Sequence, residues 1–134
     1  MSGGDSGASK PVLLVVEDDP AIREMLVRSL GLDYIVYEAA DGQHALEMLT
    51  RMKPAPDLLI LDVMMPRMDG LSLAGKLKTE PQHLRSVPII FLTGRDSPKD
   101  VVQGINVGAR HYLTKPFKIQ DLLAKVAKTL GMKK

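Results

Sequence analysis

The sequence predicts an open, doubly wound α/β domain, and three observations carry that prediction. Strand-length apolar runs recur five times: "VLLVV" (12–16), "YIVYEA" (34–39), "DLLILDV" (57–63), "VPIIFLT" (87–93) and "HYLT" (111–114). Three of them are nearly continuous in Val, Leu and Ile, the pattern of parallel strands covered on both faces. The segments between them space their apolar residues as helices do, so strands and helices alternate along the chain. With 134 residues and 45% hydrophobic content, the chain forms one domain around one core.

In order, "MSGGDSGASK" (1–10) is small, polar and glycine-rich, which predicts a disordered leader. The first strand runs into Asp19 and Pro20, an N-cap followed by a first-turn proline. Ile22, Met25, Leu26 and Leu30 then trace one helical stripe that stops at Gly31. "GQHALEML" (42–49) and "GLSLAGKLK" (70–78) supply a second and a third helix after the second and third strands. "SPKDVVQGINVG" (97–108) is the fourth, opened by Ser97 and Pro98. Gly104 weakens its interior by roughly 1 kcal/mol relative to Ala, and Val101 and Val102 are mediocre helix formers. The fifth is the cleanest: Ile119, Leu122, Leu123, Val126, Ala127 and Leu130 fall at helical spacing, with Gly131 beyond as a cap. Residues 11–131 are therefore expected to form the domain and 132–134 a tail.

Composition excludes several classes of protein. The chain has no cysteine, so it holds neither a disulfide frame nor a thiolate metal site, and a reducing compartment fits. Its apolar runs are far too short to span a membrane and its N-terminus lacks a secretory apolar segment, so a soluble, cytoplasmic protein with no membrane partner is expected. Net charge is +2, unevenly spread: nine basic and thirteen acidic residues up to Gly94, nine basic and three acidic after it. The basic C-terminal third is either a solvated helix face or a docking surface for an acidic partner.

Three carboxylates in a row, Glu17, Asp18 and Asp19, close the first strand. Like charges about 4 Å apart repel by roughly 4 kcal/mol per pair at an effective dielectric near 20. Asp19 reads as the helix cap, which leaves Glu17 and Asp18 facing the crevice beyond the strand ends, where ligands bind in such folds. Asp62 ends the aliphatic third strand between Leu61 and Val63, and right-handed crossovers bring that end to the same edge. Asp62 is either a strand-terminal cap facing solvent or the third member of a cluster that only a cation makes stable. An oxygen-only donor set favours a hard ion, magnesium before manganese. Asp69 before Gly70 reads as a turn or capping residue. Thr93 and Gly94 end the fourth strand, and Lys115 before Pro116 ends the fifth. Each is ordinary alone, yet a lysine on this edge would offset the acidic cluster, and its bond to proline can be cis.

The pieces "LLVVEDDP", "LLILDVMMPRMDG", "FLTGRD" and "YLTKPF", each at a strand end, resemble the receiver domain of bacterial two-component response regulators over residues 11–131. The resemblance implies a flavodoxin-like five-stranded parallel sheet of order 2-1-3-4-5 with five helices, close to the stand-alone chemotaxis receivers. It implies that Asp62 is the phosphoacceptor, and that Glu17, Asp18, Asp62 and the backbone carbonyl of Met64 bind Mg2+. It further implies that Thr93 and Lys115 meet the phosphoryl group, and that Tyr112 is the aromatic that reports activation together with Thr93. The implied partners are a histidine kinase or phosphotransfer protein and a downstream protein on the face of helix four, strand five and helix five, without direct nucleic-acid binding. Met64 and Arg95 match the positions that flank the hydrolytic water. A thioether holds water poorly and a guanidinium has no lone pair, so the phosphorylated state is expected to be long-lived. One departure stands out: Arg110 and His111 replace the acidic pair receivers often carry before "YLTKPF", making that face more basic.

Two other functions compete with this signalling module. A magnesium-dependent phosphohydrolase working through an aspartyl phosphate needs a second nearby acid, whereas Val63 and Met64 follow Asp62. A receiver fold used only for binding has no need of the complete Glu17, Asp18, Asp62, Thr93 and Lys115 set. His44, His83 and His111 lie on no metal-ligand spacing and read as surface or helix-face residues.

Overall fold

The structure, a computed structural model, describes residues 10–63, 65, 69–79, 82–84, 86–94 and 109–131. Its five strands are β1 (Val12–Val16), β2 (Ile35–Ala39), β3 (Leu58–Asp62), β4 (Ile89–Thr93) and β5 (Ala109–Thr114). All pair in parallel in the order β2-β1-β3-β4-β5, as expected. The order reverses between β1 and β3, so the crevice opens beyond the carboxyl ends of those two strands. Among the described residues there are four α-helices: α1 (Pro20–Leu30), α2 (Gly42–Arg51), α3 (Gly70–Thr79) and a C-terminal helix (Ile119–Thr129). The expected fourth helix, 97–108, lies outside the described residues, as do positions 1–9 of the leader and the tail 132–134. None of the helices described is long and apolar enough to cross a membrane.

The continuous apolar runs follow from burial on both faces. Leu14, Val16, Leu59, Leu61 and Phe91 face α2 and α3, with Ala45, Leu49, Leu73 and Leu77. Their neighbours Leu13, Val15, Leu58, Ile60, Ile90 and Leu92 face α1 and the C-terminal helix, with Leu26, Leu30, Leu122 and Val126. Each fully buried leucine or isoleucine contributes roughly 1.5–3 kcal/mol, so the three central strands anchor both layers. The second strand is an edge, and it shows: Ile35 is 42% and Tyr37 47% exposed. Met25, expected in the buried stripe of α1, is also exposed, whereas Leu26 and Leu30 are fully buried.

Helix boundaries follow local chemistry. Asp19 Oδ1 accepts hydrogen bonds from the amides of Ala21 and Ile22, at 2.9 and 3.3 Å, and so caps α1 as expected. Asp41 caps α2 by accepting from the His44 amide at 2.9 Å, and Asp69 accepts from the Ser72 amide at 2.7 Å at the start of α3. The C-terminal helix ends before Gly131, whose φ of +73° is left-handed and whose amide reaches the Lys128 carbonyl at 3.1 Å. β5 begins two residues earlier than the apolar pattern suggested, at Ala109. A short 3₁₀ turn, Gln82–Leu84, was not foreseen.

Candidate metal centre

Glu17 continues β1 by one residue: its amide donates to the Ala39 carbonyl at 3.1 Å. Its side chain is wholly buried. Glu17 Oε2 accepts from the Asp19 amide at 3.0 Å, while Oε1 meets Lys115 Nζ at 2.8 Å. Asp62, the last residue of β3, is 3% exposed and accepts from the same ammonium at 3.2 Å on Oδ2. Asp18 is exposed, yet one carboxylate oxygen each from Glu17, Asp18 and Asp62 lie within 4.8 Å of one another. The topology thus brings Glu17, Asp18, Asp62 and Lys115 together.

The electrostatics show what this convergence costs. Burial, then the charge of Glu17 and hydrogen bonds with Asp18 and Glu17, push the Asp62 carboxyl from 3.8 up to about 7, with Lys115 opposing them. Burial works against the Lys115 ammonium, but its hydrogen bond to Glu17 and the charges of Asp62 and Glu17 outweigh that and hold it above its ordinary value. One ammonium does not balance three carboxylates, and the remaining deficit is what a divalent cation offsets. The donor set fits a hard ion: all oxygen, two ligands buried, and the third at the solvent edge, where water would complete the coordination.

The neighbouring strand ends complete the crevice. Thr93, buried at the end of β4, lies one step beyond Leu92, the partner of Asp62 in the β3–β4 register. Its carbonyl accepts from the Lys115 amide at 2.7 Å, which ties the ends of β4 and β5 together. The Lys115–Pro116 bond is cis. Tyr112 stacks on Phe91, with ring centroids 5.7 Å apart and planes 25° apart, so its ring packs toward the α2–α3 layer. Met64 and Arg95 lie outside the described residues. His44, His83 and His111 take no part in the carboxylate cluster.

Two residues escaped the sequence reading. A Cβ on Gly70 would stand 2.4 Å from the Asp62 carbonyl oxygen, so only glycine lets α3 start against the backbone that carries Asp62. Its amide donates to the Val63 carbonyl at 3.1 Å. In the sequence it is the glycine of "MDG", which has the form of an ordinary turn. The other is Arg23, whose side chain bonds the Glu17 backbone carbonyl.

Residues 13–127 match the model of the response regulator receiver domain. This chain belongs to that family. Response regulator MprA of Mycobacterium leprae (strain TN) is 48% identical over 115 residues, which cover 85% of this receiver and 48% of that protein. The receiver thus spans about half the length of such relatives. Among solved structures, the signal receiver domain of a signal transduction histidine kinase from Syntrophus aciditrophicus is 38% identical, with a TM-score of 0.80 and 90% of each chain covered. The receiver domain of sensor histidine kinase PA1611 from Pseudomonas aeruginosa PAO1, solved with a magnesium ion coordinated in its active site cleft, is 32% identical. Its TM-score is 0.77, covering 92% of this receiver and 99% of that chain.

Proposed function

We propose that this receiver takes a phosphoryl group onto Asp62 from the phosphohistidine of a histidine kinase or phosphotransfer protein. The observation that carries the reading is a buried Asp62 bonded to Lys115 inside a three-carboxylate cluster. A carboxylate oxygen of Asp62 attacks phosphorus, the bond from phosphorus to the donor's imidazole nitrogen breaks, and its electron pair returns to the ring. Lys115 follows the charge onto the transferred group, and Thr93 offers it a hydroxyl hydrogen bond. Glu17, Asp18 and Asp62, with the Met64 carbonyl, would hold Mg2+, and a bound Mg2+ supplies the positive charge that makes the carboxylates and phosphoryl oxygens compatible. The magnesium ion in the PA1611 receiver supports this choice of metal.

The acyl phosphate is the signal, and no external substrate is turned over. Loss of the phosphate is slow because Met64 and Arg95 position water poorly. Thr93 and Tyr112 relay the new charge to the face built from β5 and the C-terminal helix. There Arg110, His111, Lys125 and Lys128 suit an acidic protein partner in the cytoplasm.

Incubation with Mg2+ and a small acyl phosphate, followed by intact-mass measurement, tests the reading. One added phosphate is expected in the parent and none in Asp62→Asn; an equal gain in both overturns it.

A further inference from the structure

Arg23, in the first turn of α1, reaches back over the loop that carries the carboxylates. Its Nη1 donates to the Glu17 carbonyl at 2.8 Å, and its Nε donates to Glu38 Oε1 at 3.1 Å. Arg23 is 21% exposed and Glu38 52% exposed, so the contact lies at the rim of the crevice. Glu38 pairs with Val15 in the β1–β2 register, and the next residue, Ala39, takes the Glu17 amide. Both backbone groups of Glu17 are therefore engaged, the amide by β2 and the carbonyl by Arg23.

That carbonyl shares a peptide plane with the Asp18 amide. Holding it fixes the direction in which the chain enters Asp18, the exposed member of the cluster. Glu17 has its own anchors in Lys115 and the Asp19 amide, and Asp62 sits in a paired strand. Asp18 is the ligand whose place depends most on the loop backbone. Because Glu38 offsets the charge of Arg23, the pair adds little field at the carboxylates, and its contribution is geometric. A planar guanidinium serves a carbonyl and a carboxylate in two fixed directions at once, which an ammonium does not.

We propose that Arg23 is a positioning residue for the metal centre: anchored by Glu38, it locks the Glu17–Asp18 peptide so that Asp18 stands beside Glu17 and Asp62. The proposal rests on the magnesium reading above. Contacts that orient metal ligands from outside are typically worth about 10–100-fold in affinity. Arg23→Gln is accordingly expected to weaken Mg2+ binding about tenfold, near the lower end of that range. Arg23→Lys, which keeps the charge but loses the fork, recovers only part of the loss. Glu38→Gln keeps an acceptor and binds nearly as the parent does.

The experiment combines calorimetric Mg2+ titration of the parent and these variants with amide chemical shifts and melting temperatures in EDTA. The Asp18 and Asp19 amide shifts are expected to move in metal-free Arg23→Gln and to stay in Glu38→Gln. Parental Mg2+ affinity in Arg23→Gln overturns the proposal, as does an affinity loss that merely tracks the melting temperature across the variants. If Arg23→Gln does not fold, Glu38→Ala, which removes only the anchor, is expected to lose affinity several-fold, and parental affinity there overturns the proposal. A parent that binds no Mg2+ sinks the metal reading, and the metal-free shifts then decide the role of Arg23 alone: unmoved Asp18 and Asp19 amides refute it.

Discussion

Two regions of this receiver concentrate like charge and tolerate it in opposite ways. At the carboxyl ends of β1 and β3, Glu17 and Asp62 are buried, and among the described residues the cluster leans on the ammonium of Lys115. Along β5 and the C-terminal helix, His111, Lys125 and Lys128 line a groove with Leu113, Ala124 and Asp121, and solvent screens their charges. Buried like charge is strong but conditional, since it needs a counter-ion inside the protein or captured by it. Exposed like charge is weak and screened, which leaves it available to a partner. The first arrangement suits chemistry and the second recognition.

The largest expected effect separates them outright. Asp62→Asn should abolish phosphoryl uptake, whereas the double reversal Lys125→Glu with Lys128→Glu should leave uptake by a small donor unchanged. Intact mass decides, and loss of uptake in the lysine variant would break the division. Next comes metal. At tenfold excess over its dissociation constant, Mg2+ should stabilise the parent by about 1.4 kcal/mol, and thermal melting reports the rise. Asp18→Ala should lose that rise and phosphoryl uptake, yet melt no lower than the parent in EDTA because one repulsion has gone.

A third, smaller effect sharpens the contrast through salt. Binding of polyglutamate to the basic groove should weaken markedly as ionic strength rises from 50 to 200 mM, roughly where the Debye length falls below about 10 Å, and weaken further in Lys128→Glu. Fluorescence anisotropy of a labelled polymer measures it, and salt-independent binding would contradict a screened surface.

The smallest effect is that of His111. Burial, then Lys125, Lys128 and Arg110, hold its imidazole below the ordinary 6.5. The folded state therefore binds its proton less readily than the unfolded state, so stability falls as pH drops below about 6.5. His111→Gln should remove this slope, and parent and variant should diverge in melting temperature between pH 7 and pH 5, with the parent lower at the acid end.

Much of this was legible in the sequence because it depended on local order. Continuous aliphatic runs specify strands buried on both faces, and carboxylates at the ends of two such strands specify where they meet. What escaped depended on reach across the fold. Arg23 reads in sequence as one more charge on the solvent side of a helix, and only the seating of α1 on β1 brings its guanidinium to a carbonyl six residues back. Gly70 reads as turn punctuation, and only the closeness of α3 to β3 shows that a methyl group would collide there. β2 lacks the continuous Val, Leu and Ile of the three central strands, in keeping with its edge position, but only the packed fold shows that Ile35 and Tyr37 are exposed. β5 starts early because Ala109 still pairs with Ile89, the register then shifting past the exposed Arg110 so that His111 meets Ile90.

Lys115 joins Glu17 from nearly a hundred positions further along the chain, and that separation has a consequence for the protein as it is made. A ribosome delivers β1 and β3 with their carboxylates well before it delivers the lysine, so the emerging chain holds the acidic residues without their ammonium. Until β5 docks beside β4, the crevice is a region of net repulsion that resists closing. Competence to carry the signal therefore waits for β5, the strand that brings Lys115.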